Sequence, residues 1–301
     1  MKITPTSTPS ETVRALTEGK TIIVAAVNQK GGVGKTSLTL NLGFELARTG
    51  LKILLIDLDP QASLSKNLIG EDALPNRKGI EELFLSDKSK PEECIVSLPQ
   101  ENLFILPCHN ELASVSAKIL LDSSSFFALK EIFEKISGFD FILIDTPPSL
   151  GILTLNSFIA AEHLIIPIAP AVYSLLAVND LLQSIEKTRK NLNRNLEILG
   201  VAVMMIDRRA SLYCQIEEQV RTFFGTKVFE SVISRTVKSE EAVTEGIGVG
   251  SLAPDSKIAG EYRNLTAEIL SRLEIEPSVR ITGLSSRPLS SPVADISFLE
   301  M

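Results

Sequence analysis

This 301-residue chain has few cysteines, few histidines and no long apolar run. Its three cysteines, Cys94, Cys108 and Cys214, form no C-x-x-C pair and no even set. That argues against a disulfide scaffold, a zinc site or an iron–sulfur cluster, and fits a reducing cytoplasm. The two histidines, His109 and His163, stand too far apart in sequence to suggest a metal cluster. Apolar runs such as "KTIIVAAV" and "HLIIPIAPAV" stop far short of the roughly 18–20 residues a spanning helix needs, so neither a signal peptide nor a membrane span is expected. Positive charge is short as well. A formal net charge of −7 argues, on its face, against a nucleic-acid partner.

What is present is a large apolar fraction, 44% against 22% charged residues, enough to bury a sizeable core. Residues 1–20, opening with Pro, Ser and Thr, read as a loose arm, and the Ser- and Pro-rich stretch 276–301 reads as a flexible tail. Between them, residues 21–275 read as one domain without internal repeats. Short, almost continuously apolar runs at 21–27, 52–58, 102–106, 139–145, 163–168 and 199–206 read as buried strands. Helix-period stretches separate several of them, including "KTSLTLNLGFELARTG", which closes on Gly50 as a C-terminal cap. The alternation implies an α/β fold: a doubly wound, mostly parallel sheet with helices on both faces and ligands at the carboxyl ends of its strands.

At such an end, after the first strand and before the first helix, stands "NQKGGVGKTS". Gly34, Lys35 and Thr36 fit the second half of the phosphate-loop pattern G-x-x-x-x-G-K-[ST], while Gln29 holds the place of its first glycine and Lys30 adds a second lysine. Gln29, Lys30, Gly31, Gly32, Val33, Gly34, Lys35, Thr36 and Ser37 together form the expected nucleotide cradle. Backbone N–H groups there converge on phosphate oxygens at a helix N-terminus, and the Thr36 hydroxyl suits Mg²⁺.

Two further runs end in acids: "LLIDLDPQAS" with Asp57 and Asp59, and "FILIDTPPSLG" with Asp145. A carboxylate after four apolar residues is costly to bury without a counter-charge. Asp145 therefore reads as the carboxylate that holds Mg²⁺, directly or through water. Asp57 and Asp59 sit on a loop able to order around a γ-phosphate, and one of them positions the attacking water.

In this order and spacing, "KGGVGKTS", "LLIDLDPQAS" and "ILIDTPPSLG" resemble the deviant Walker A ATPases of the ParA/MinD group, and within it the Soj-like ParA DNA-segregation ATPases. The resemblance spans about residues 20–273. It implies a P-loop NTPase fold, ATP and Mg²⁺ as ligands, and slow, partner-stimulated ATP hydrolysis. It also accounts for the second lysine: Lys30 reaches across an ATP-sandwich homodimer to the partner's phosphates, in the manner of an arginine finger, while Lys35 serves its own subunit. By the motif match Asp59 positions the water, and Asp57 supports Mg²⁺ through water.

Other members of the group fit less well. A terminal basic amphipathic helix of the membrane-bound MinD type is not evident, paired cysteines are lacking, and Tyr173, Tyr213 and Tyr262 form no terminal cluster. A first strand near Thr21 leaves no room for a leading helix-turn-helix domain. "MMIDRRASL" and "VFESVISRTVKSEEA" resemble further Soj-type segments, which implies Asp207 and the backbone near Ser234 beside the adenine, and Arg209, Arg235 and Lys238 on DNA. Independently, ten basic residues oppose six acidic ones between Glu186 and Lys238, net +4 in a chain that is net −7. The chain departs from the pattern at Ser234, Thr236 and Val243 and at "APA", Ala169–Ala171. The expectation is an ATP-dependent segregation ATPase of the bacterial cytoplasm and nucleoid. Its dimer binds double-stranded DNA without sequence preference, a ParB-like centromere-binding protein releases it, and no membrane takes part. A MinD-like division regulator and a ParA-like positioner of a protein cargo are the alternatives.

Overall fold

The computed structural model describes residues 20–121, 123–170, 175–207 and 211–275. The expected tail and all but the last residue of the expected arm lie outside them, as do Arg209, Ala171 and Tyr173.

Eight strands form one sheet: β1 (Ile22–Ala26), β2 (Ile53–Asp57), β3 (Val96–Ser97), β4 (Leu103–Leu106), β5 (Phe141–Asp145), β6 (His163–Ile168), β7 (Glu197–Ile206) and β8 (Val228–Ser234), in the spatial order β3-β4-β2-β5-β1-β6-β7-β8. Every neighbouring pair is parallel except β3 with β4. The six expected runs are all strands, within two residues at each end. Their unbroken apolarity has a simple cause. Ala25, Leu54, Ile56, Ile142 and Ile144 face one buried core, while Val24, Ala26, Ile53, Leu55, Phe141 and Leu143 face another across the sheet. A strand covered on both faces has no position to spare for a polar residue, since each large aliphatic side chain buried there contributes about 1.5–3 kcal/mol.

The helices, in chain order, are α1 (Lys35–Arg48), α2 (Ser63–Ile69), α3 (Ile80–Leu85), α4 (Pro91–Cys94), α5 (Leu112–Ile119), α6 (Ala128–Glu134), α7 (Ile152–Ala160), α8 (Leu175–Asn191), α9 (Ser211–Phe224), α10 (Val237–Thr244), α11 (Val249–Leu252) and α12 (Lys257–Arg272). Helices α1 and α12 cover one face through Leu38, Leu42, Ile258, Tyr262, Leu265 and Ile269, and α5 to α9 cover the other through Leu112, Ile132, Phe158, Leu181 and Val220. Gly50, at φ 90, closes α1 as expected, its N–H donating to the Ala47 carbonyl at 2.9 Å.

Strands β3 and β8 were not expected. β8 is an edge strand, and its polar Glu230 and Ser231 interrupt the apolar run that marks a buried strand. Side chains of α12 cover its open edge. Glu268 accepts from the N–H groups of Glu230 and Ser231 at 2.8 and 2.7 Å, and Glu261 accepts from the N–H of Ser234 at 2.7 Å. One helical turn further, Arg272 donates to the carbonyls of Leu199, Lys227, Thr226 and Val228 and lies 4.2 Å from the centre of the Phe229 ring.

Candidate functional site

β1 runs out into Asn28, whose side chain opens the loop. Its Nδ2 donates to the Pro167 carbonyl on β6 at 2.8 Å, and its Oδ1 accepts from the Lys30 N–H at 3.0 Å. Gln29 donates through Nε2 to the Ala177 carbonyl of α8. Gly32 and Gly34 sit at φ 72 and φ 92, a region that side-chain-bearing residues avoid. A Cβ on Gly34 would also come within 3.2 Å of the Met205 methyl and 3.3 Å of the Met204 methyl. The loop thus rests on the end of β7, where the register with β8 shifts and Met205 itself takes φ 56.

The start of α1 is bare. Gly34 caps it without a side-chain hydrogen bond, no acid stands in the first turn, and Leu38 donates to the Gly34 carbonyl at 2.8 Å. A helix N-terminus leaves its leading N–H groups unsatisfied and carries about half a positive charge, so this one is available to an anion such as phosphate. Lys35 is 7% exposed, and its ammonium donates to the Asn28 and Lys30 carbonyls at 3.0 and 3.2 Å, which aims it back over the loop. Val33 is buried, and Thr36 and Ser37 are half-buried.

The acids meet this loop because the strands end level. Asp145 is in register with Ala26 on one side and Asp57 on the other. Thr36 donates from Oγ1 to Asp145 Oδ2 at 2.6 Å, while Asp145 Oδ1 is buried without a hydrogen-bond partner. Asp57 accepts from the Asp59 N–H through Oδ1 at 3.1 Å, and from the Ser65 N–H and hydroxyl through Oδ2 at 2.8 and 2.7 Å. Both carboxylates are fully buried. Burial and then repulsion from Asp57 hold the Asp145 carboxyl well above the usual carboxylate range, against the Thr36 hydrogen bond and the Lys35 charge. Burial pushes Asp57 up to about 6, opposed by its bonds from Ser65 and Asp59. Burial also lowers Lys35, which Asp145 and then Asp59 oppose.

The cluster is therefore short of positive charge, and the buried, unpartnered Asp145 Oδ1 belongs to the same carboxylate that the Thr36 hydroxyl meets. A hydroxyl and a carboxylate oxygen are hard donors that suit Mg²⁺. Among the described residues no three His, Cys, Asp or Glu side chains form a metal cage.

Lys30 behaves differently from Lys35. It is exposed, and among the described residues its ammonium has no hydrogen bond or ion pair. Asp207, half-buried, follows the end of β7 directly. Beside it the Ser234 N–H is taken by Glu261, so that backbone donor is engaged within the chain. Arg235 makes a loose pair with Glu240, 3.7 Å apart and about two-thirds exposed on both sides (66% and 68%), and Lys238 is exposed on the first turn of α10. The unexpected Thr236 caps that helix, accepting from the Ser239 N–H at 3.2 Å. Arg209 lies outside the described residues. No described helix is long and apolar enough to cross a membrane.

Asn28, Ser65 and Thr146, whose hydroxyl donates to the Ala26 carbonyl at 2.7 Å, were not singled out from sequence. Asn28 directly precedes the loop and had a signal in that position; Ser65 and Thr146 had none.

A family model described as an AAA domain matches residues 20–198. The chain is 38% identical to "Chromosome-partitioning ATPase Soj" of Treponema pallidum over 255 residues, 84% of this chain and 98% of that one. It is likewise 38% identical to the protein of that name from Thermus thermophilus, over 83% of this chain and 96% of that one. Among solved structures, it is similar to one described as cobyrinic acid a,c-diamide synthase from Mycobacterium smegmatis with a bound ATP analogue and magnesium. There the TM-score is 0.74 at 30% identity, covering 85% of this chain and 96% of that one.

Proposed function

We infer, for a chain that belongs to the Soj/ParA family of chromosome-partitioning ATPases, that it is an ATPase acting in DNA partition. Its substrate is ATP with Mg²⁺. Lys35 holds the β- and γ-phosphates of its own nucleotide, helped by the bare N-terminus of α1 and the backbone of Gly31 to Gly34. Thr36 and Asp145 hold Mg²⁺, which supplies charge to offset that of the phosphates, and Asp57 supports it through water. Asp59, fixed by the Asp57 carboxylate, positions the attacking water. Gln29, Val33 and Ser37 complete the cradle, and Asp207 lies toward the adenine.

The observation that carries the reading furthest is the contrast between the two lysines. Lys35 is buried and bound to its own loop, while Lys30 projects from the same loop into solvent without a partner in the described chain. A cation so placed has no use for its own subunit's phosphates. It suits an anion brought by a second copy, which makes the homodimer depend on ATP. Dimerisation then doubles and aligns the surface of Arg235 and Lys238, which binds double-stranded DNA without reading bases, a role that the sequence resemblance extends to Arg209. The loose Arg235–Glu240 pair costs little to exchange for a phosphate. A ParB-like centromere-binding protein stimulates hydrolysis and release, in the bacterial cytoplasm on the nucleoid.

Co-sedimentation with DNA and with anionic vesicles, each with and without ATP and Mg²⁺, tests this. ATP-dependent recovery with DNA alone is expected. Recovery with vesicles would favour the membrane-associated alternative, and DNA binding without nucleotide would overturn the dimer mechanism.

A further inference from the structure

The segment that carries Asp59 is short and strained, and something must hold it. Ala62 takes φ 54 and ψ 33, left-handed values that cost a residue with a Cβ about 1 kcal/mol or more. It precedes α2 without providing a side-chain cap. The cap comes from elsewhere: the Asp57 carboxylate, at the end of β2, accepts both the N–H and the hydroxyl of Ser65, the third residue of α2. The same carboxylate holds the Asp59 N–H.

The Ser65 hydroxyl has two partners at once. It donates to Asp57 Oδ2 at 2.7 Å and accepts from the Cys108 N–H at 3.0 Å, so its direction is determined. Cys108 closes the ring. Its Sγ donates to the Asp59 carbonyl at 3.1 Å, the same carbonyl that accepts from the Ala62 N–H at 2.7 Å. Asp57, Ala62, Ser65 and Cys108 are all fully buried, away from any water that would replace a lost bond. Asp59 is thus held at its N–H through Asp57 and at its carbonyl through Cys108, and Ser65 bonds to both holders. Removing that hydroxyl leaves Asp57 Oδ2 with the Ser65 N–H alone and leaves the Cys108 N–H without an acceptor.

We propose that Ser65 is a positioning residue for ATP hydrolysis: through Asp57 and Cys108 it fixes the backbone of Asp59 and so the aim of the attacking water. The proposal rests on Asp59 as the residue that positions water. Ser65 is fully buried and its hydroxyl is spent on Asp57 and Cys108, so its loss should leave nucleotide affinity little changed.

Single-turnover hydrolysis with Mg²⁺ and DNA, alongside ATP binding and thermal melting, tests the assignment. Ser65→Ala is expected to lower kcat about ten-fold, a displacement effect of moderate size, with KM and the ATP dissociation constant changed less than about two-fold. Ser65→Thr, which keeps the hydroxyl, should recover most of the rate. In an Asp59→Ala background Ser65→Ala should cause no further loss, since the residue it aims is gone. Cys108→Ala, which removes only the thiol bond, should lower kcat by about three-fold and serves if Ser65→Ala does not fold. A wild-type kcat for Ser65→Ala beside an inactive Asp59→Ala would overturn the positioning role alone. Wild-type hydrolysis by Asp59→Ala would overturn the water assignment and this proposal with it.

Discussion

Replacing Asp145 by Asn should make the empty protein more stable and the loaded protein less so. Asp145 is fully buried, in register with the fully buried Asp57, and one of its oxygens has no partner. A buried polar atom left unsatisfied costs about 1–3 kcal/mol, and more when it is charged. Asp145→Asn keeps an oxygen to accept the Thr36 hydroxyl and removes the repulsion with Asp57, but its amide still leaves a polar hydrogen to satisfy. Only the charged part of the penalty is recovered, about 1 kcal/mol, which for a domain of this size raises Tm by about 3 °C. With Mg²⁺ and ATP the order reverses. At one hundred times the dissociation constant the wild type gains about 2.7 kcal/mol, about 8 °C, which the variant should lose if Asp145 holds Mg²⁺ as proposed. Paired thermal melts, with EDTA and with Mg²⁺ and ATP, therefore cross. A variant that melts below the wild type in EDTA, or that keeps the full Mg²⁺-dependent rise, would refute the reasoning.

The two lysines should separate by assay: Lys35→Ala abolishes nucleotide binding, whereas Lys30→Ala binds ATP yet stays monomeric by size exclusion. A normal ATP dimer from the Lys30 variant would end the across-dimer role. Lys238→Glu should weaken binding to all DNA sequences alike and flatten the log–log salt dependence by about 0.9 for each phosphate no longer neutralised, measured by mobility shift; an unchanged slope would make that surface merely solvated. Glu268→Ala removes the acceptor for two N–H groups and the Ser231 hydroxyl at the β8 edge. Partial access of water limits the cost to about 2 kcal/mol, a Tm drop of about 6 °C with nucleotide affinity unchanged.

The central sheet and the phosphate loop were legible in the sequence for the same reason: neither tolerates substitutes. β1, β2 and β5 are buried on both faces and so read as solid apolar runs, and φ 72 and φ 92 in the cradle strongly favour glycine. Periodicity served less well where an element is short or uniformly covered. Helices α3 and α4 span six and four residues, too few to show a stripe, and α7 is buried at eight of its nine positions, so no polar face marks it. β8 escaped because Glu230 and Ser231 are polar where its edge meets α12. Ser65 escaped for another reason. Its partners Asp57 and Cys108 are 8 and 43 residues away, and nothing in its neighbours announces them.

The sheet ends on both sides in strands poorly suited to recruiting another. β3 is only two residues long, and three N–H groups of β8, those of Glu230, Ser231 and Ser234, are already engaged by Glu268 and Glu261. Two copies meeting at high local density on a scaffold therefore cannot readily zip together by adding strand to strand, a union of backbone bonds with no chemical means of release. In the proposed dimer, what joins them instead is a charged ligand that each copy can destroy. The glutamates of α12 thus guard reversibility, because they close the route to assembly that strand addition would make permanent.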